Sequence, residues 1–139
     1  MNLETQVVSL ELAKKLKNLG VKQESLAYFI CQEVGDNYDL HIFDNGESVK
    51  KSFEMNKREI ISAFTVAELG EILPQIIKIK SIKYQLFCSI GLDKQWFVVY
   101  VNEEDYHDNA PIKIIMCHNE ADARAKMLIY LIENNLIKK

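Results

Sequence analysis

The densest set of groups that could do chemistry is Glu103-Glu104-Asp105-Tyr106-His107-Asp108. Carboxylates around an imidazole could hold a divalent cation or move protons. Tyr106 and His107 also suit the edge of a ligand, each giving an apolar body with a polar tip. The acidic neighbours would repel a bare phosphate, so this segment favours a cationic or metal-bridged ligand. The plainer reading is a solvated loop between two buried strands, where charge is expected. Lys78 and Lys80, with Lys83 and Tyr84 nearby, form the second candidate. They could present cations to a phosphate or an acidic partner, or they could protect an edge strand from unwanted pairing.

The remaining candidates are weaker. Cys117 and His118 are adjacent, and neighbours on a strand point to opposite faces, so they do not form a nucleophile–base pair. His41 falls on the polar side of its strand and reads as a solvated side chain. Cys31, Cys88 and Cys117 sit in apolar runs with no Cys-x-x-Cys spacing, as reduced, buried thiols would. The five glycines are scattered, so neither a phosphate-cradling glycine loop nor a Gly-x-Ser-x-Gly elbow is present. No cofactor is expected.

These residues must be positioned by a mixture of helices and strands. Ser9 as N-cap, Leu12, Leu16 and Leu19 at helical spacing, and Gly20 as the stop predict a first helix. Thr65 and Glu68 have capping-box spacing ahead of Val66, Leu69 and Leu73, with Pro74 ending that helix. Gly70 inside it lowers its propensity. A third helix opens at Asn119 and stops near Asn134-Asn135, with Ala121, Ala125, Leu128 and Ile132 as its stripe. Met127, Ile129, Tyr130 and Leu131 exceed what one stripe needs. That surplus predicts either further burial within the chain or a homodimer contact.

Strands are expected over Leu26 to Cys31, Tyr38 to Ile42, Ile82 to Leu92, Trp96 to Val101 and Ile112 to Cys117. Asp44-Asn45-Gly46 is a hairpin signal, with Val49 to Met55 as a weaker edge strand after it. Ile77 and Ile79 have the opposite parity from Ile82, Tyr84 and Leu86, so a bulge or break belongs near Lys80-Ser81. Trp96 to Val101 is apolar on both faces and should be central. The expected fold is α+β: five or six strands in a mostly antiparallel sheet, with about three helices packed on it.

Length and composition set the outer limits. The 139 residues suit one globular domain over the whole chain, and 48% hydrophobic with 27% charged residues is ordinary globular composition. A net charge of −3 argues against nonspecific nucleic-acid binding. The chain has neither an apolar run of membrane-spanning length nor a basic, apolar leader, so a cytoplasmic protein is expected.

Three blocks taken together carry a resemblance: Ser9 to Ser25 (SLELAKKLKNLGVKQES), Ser62 to Pro74 (SAFTVAELGEILP) and Glu120 to Asn134 (EADARAKMLIYLIEN). In these the chain resembles a family of small uncharacterised proteins from bacteriophages, prophages and gut bacteria. The resemblance implies origin in a phage or mobile element and a bacterial host cell as the setting. It implies no activity and no site residues. The expected function is noncatalytic binding of a host or phage protein, including a host defence component. Sequestration of a small anionic, nucleotide-like ligand is the alternative, and a small enzyme using the His107 segment is a third.

Overall fold

In the computed structural model, residues 2–33, 35–42, 51, 54–104 and 112–138 are described. After a single 3-10 turn at Leu3–Thr5 comes helix α1, Leu10–Asn18. Its end carries paired hydrogen bonds, Gly20 N–H to Lys17 and Val21 N–H to Leu16, with Gly20 at φ 86°. A side chain there would be strained, which is why glycine stops the helix. Ser9 is the N-cap as expected, but its side chain makes no capping bond. Its backbone N–H donates instead to Asp122 Oδ1, 2.7 Å away.

Strands β1 (Ala27–Cys31), β2 (Tyr38–Ile42) and β3 (Ile60–Ser62) form one antiparallel sheet in the order β2-β1-β3. The Asn45-Gly46 turn lies outside the described residues. The edge strand expected over Val49 to Met55 is absent at its described residues: Lys51, Glu54 and Met55 are helical. Their weak alternation gives a strand too little to bury, as Met55 at 83% exposed illustrates.

Helix α2, Val66–Ile72, opens on the complete capping box that Thr65 and Glu68 predict. Four strands follow: β4 (Ile76–Ile79), β5 (Ile82–Ile90), β6 (Trp96–Asn102) and β7 (Ile114–Cys117). They pair antiparallel in sequence order, β4-β5-β6-β7. The parity switch at Lys80-Ser81 is a two-residue hairpin turn, both residues having positive φ (48° and 72°). The seven described strands thus divide into two antiparallel sheets rather than the single sheet expected.

Helix α3, Glu120–Glu133, is the centre of the molecule and packs on α1, α2, β6 and β7. Asn119 caps it by accepting from Ala121 N–H at 2.7 Å and Asp122 N–H at 3.3 Å. Of its surplus apolar residues, Met127, Ile129 and Leu131 are buried within the chain itself, and Tyr130 is half-buried. That surface is therefore not offered to a second copy. One core joins the two sheets and three helices, and Tyr100, Phe64, Leu16, Met127 and Leu128 are among its buried members. The expected α+β fold is present. No described helix is long and apolar enough to cross a membrane.

Candidate binding face

The four-stranded sheet has two unlike faces because its side chains alternate. Ile77, Ile79, Tyr84, Leu86, Cys88, Val98, Tyr100 and Ile115 belong to the core around α3. The opposite face is laid out in rows by the strand registers. Lys78 pairs with Lys83, whose carbonyl accepts from Glu103 N–H. Ile76 pairs with Gln85, and Gln85 with Val101. Phe87 pairs with Val99, and Val99 with Ile114. Ser89 pairs with Phe97, and Phe97 with Met116.

This outer face is charged at one end of the strands and uncharged at the other. Ile76, Phe87, Ile114 and Met116 are 50–54% exposed, an unusual concentration of half-exposed large apolar groups on one sheet. Val99 is buried although it faces outward, since Phe87 and Ile114 flank it. The double-sided apolarity of Trp96 to Val101 correctly marks an interior strand, yet it also signals a second apolar face. Reading it only as centrality misses Phe97 on that face, and the register then shows that Ile114 and Met116 share it with Phe87.

Of the lysines, Lys78 lies exposed on the edge strand β4, as edge protection requires. Lys80 occupies the turn, and the turn resets parity so that Lys78 and Lys83 stand directly opposite one another. Like charges set across a strand pair repel, and Glu103, whose N–H donates to the Lys83 carbonyl, puts one carboxylate on the far side of Lys83. Lys78, Lys80 and Lys83 are thus gathered on one hairpin. Tyr106 and His107 lie outside the described residues.

The cysteines are half-buried rather than fully buried. Cys88 Sγ lies 3.8 Å from Glu120 Oε1, which Arg124 holds through Nε at 3.0 Å and Nη2 at 2.8 Å. Burial pushes the Cys88 thiol up, with the Glu120 carboxylate adding to the shift and Arg124 opposing it. A thiol held protonated is a poor nucleophile. His118, beside Cys117, is exposed at the entrance to α3. His41 is half-buried, paired in register with Tyr28. Among the described residues no group of three His, Cys, Asp or Glu side chains is placed to hold a metal ion.

An apolar cleft of about 270 Å³ opens elsewhere, lined by Val21, Phe64, Ile72, Leu128, Ile132 and Ile137. Lys22, Glu24 and Lys138 complete its lining, with Lys22 bridged to Glu24 at 3.0 Å. The cleft does not bring Lys78 or Lys80 to a ligand. Compared with family models, curated proteins and solved structures, the chain matches none.

Proposed function

We propose that this chain is a noncatalytic binding protein that engages an acidic surface of a host-cell protein through its β4–β5 hairpin. The observation that carries the reading is the convergence of Lys78, Lys80 and Lys83 on one hairpin of an acidic chain. Cations on an exposed hairpin steer an acidic partner toward this end of the sheet. The resemblance of the three blocks to phage and prophage proteins supports a bacterial host partner, with defence components as one class. Stoichiometric contact is sufficient for such a role and requires no catalytic group.

The test is capture of host protein by the tagged full chain, compared with Lys78→Glu/Lys83→Glu. The expected result is a discrete acidic partner held by the native chain, released by salt and lost from the variant. Equal retention by the variant overturns the hairpin as the contact. If nothing is retained while a nucleotide raises the melting temperature, and Lys78→Ala/Lys80→Ala abolishes that rise, sequestration of an anionic ligand replaces the reading.

A further inference from the structure

We infer that the uncharged rows of the outer sheet face, centred on Phe87, Phe97, Val99, Ile114 and Met116, are covered by the same rows of a second copy of this chain. The inference deepens the reading of this face as a contact surface, and it concerns the end of the strands away from the lysine row. Three observations support it.

Area comes first. Ile76, Phe87, Ile114 and Met116, each about half exposed, leave on the order of 400 Å² of apolar side chain uncovered. Gln85, Ser89, Phe97 and Val101 extend the same face. Together they come to on the order of 600 Å², the lower end of what a specific, stable interface buries per partner.

Charge is the second. In a two-fold contact, residues near the axis meet their own copies, so a charged row on the axis would confront itself. Phe87-Val99-Ile114 and Ser89-Phe97-Met116 contain no charge and can lie on the axis. The Lys78-Lys83 row cannot, and it must fall toward the rim of the pair.

The third is the strand sequence. Trp96-Phe97-Val98-Val99-Tyr100-Val101 has the continuous apolar character of a strand covered on both sides. Here α3 covers one side. A second sheet packed face to face, about 10 Å away, supplies the other in the manner of a β-sandwich.

Light scattering on the full chain across a micromolar dilution series tests this. The native chain should run at twice its 16.1 kDa mass and dissociate on dilution. Phe87→Glu/Met116→Glu should run at the single-chain mass, with dimer affinity weakened at least 100-fold and an unchanged circular-dichroism spectrum. Phe87→Ser should weaken the dimer in the same direction, and its smaller change keeps the test valid if the double variant misfolds. Lys78→Glu/Lys83→Glu should remain dimeric, so that loss of partner capture and loss of dimer are read separately. A native chain at single-chain mass throughout overturns the inference and leaves the rows to a different protein. A dimer that survives both Phe87 variants also overturns it, by placing the contact elsewhere.

Discussion

Glu68 accepts the backbone N–H of Leu26 at 2.8 Å, joining the start of α2 to the chain just ahead of β1. Its second oxygen accepts from Thr65 N–H at 2.8 Å and from Ser25 Oγ at 2.9 Å. One carboxylate therefore closes the capping box and fixes the entry of a distant strand. Glu68→Ala leaves three donors without their acceptor and should cost about 2–3 kcal/mol, seen as a lowered urea midpoint. Glu68→Gln keeps an acceptor oxygen and should cost about half as much. Equal loss in both variants would mean the carboxylate charge, not acceptor number, carries the effect.

Local signals were legible in the sequence wherever the interaction is itself local. The Thr65–Glu68 box, the Gly20 stop, the Asn119 cap and the parity break at Lys80-Ser81 all involve residues a few positions apart. Partners far along the chain left no trace in spacing: nothing at Ser9 announces Asp122, and nothing at Glu68 announces Leu26. Division into two sheets was hidden for the same reason, since strand pairing is a long-range choice. The candidate face was half legible. Lys78 and Lys80 stood out by type, whereas only the strand register sets Phe87 beside Val99 and Ile114 on the face away from α3.

The Ser9–Asp122 contact gives a contrasted pair of expectations at the helix starts. Ser9→Ala should cost only a few tenths of a kcal/mol, because the hydroxyl makes no capping bond. Asp122→Ala removes the acceptor of the Ser9 N–H and should cost about 1–2 kcal/mol. Asn119→Ala should cost about 1 kcal/mol through its two lost capping bonds. Chemical denaturation of the three variants checks the order.

The β4–β5 turn carries avoidable strain. Lys80 and Ser81 both adopt the left-handed conformation that Asn-Gly accepts more readily. Replacing the pair by Asn-Gly should stabilise the fold by about 1 kcal/mol. Partner capture should fall less than in Lys78→Glu/Lys83→Glu, since one cation is removed and none is reversed. A loss of stability would mean the Lys80 stem packs on the sheet.

Stability should fall at alkaline pH. Burial pushes the Tyr100 hydroxyl well above its ordinary value of 10.0, and it donates to the Pro74 carbonyl at 2.6 Å. The unfolded chain releases this proton from about pH 10 upward while the folded chain keeps it, so stability declines with rising pH from there. A hydrogen bond to Glu59 raises Tyr38 in the same direction, with partial burial adding to it. Tyr100→Phe should flatten part of the decline between pH 9 and pH 11 and cost about 1 kcal/mol at neutral pH. An unchanged alkaline slope would assign the effect to Tyr38, for which Tyr38→Phe is the control.

Gly70 sits inside α2 against its own propensity, and α3 supplies the reason. A Cβ at Gly70 would lie 3.1 Å from Arg124 Nη1, closer than ordinary contact. Arg124 is not free to retreat, because Glu120 holds its Nε and Nη2 on one oxygen. Ala at this position gains about 1 kcal/mol of helix propensity and loses a similar amount to crowding. Gly70→Ala alone should therefore change stability by less than about 0.5 kcal/mol. In an Arg124→Ala background the crowding is gone, and the same change should stabilise by its full propensity, about 1 kcal/mol. Equal effects in the two backgrounds would show that Arg124 yields without cost, and that glycine at this position answers to something other than the α2–α3 contact.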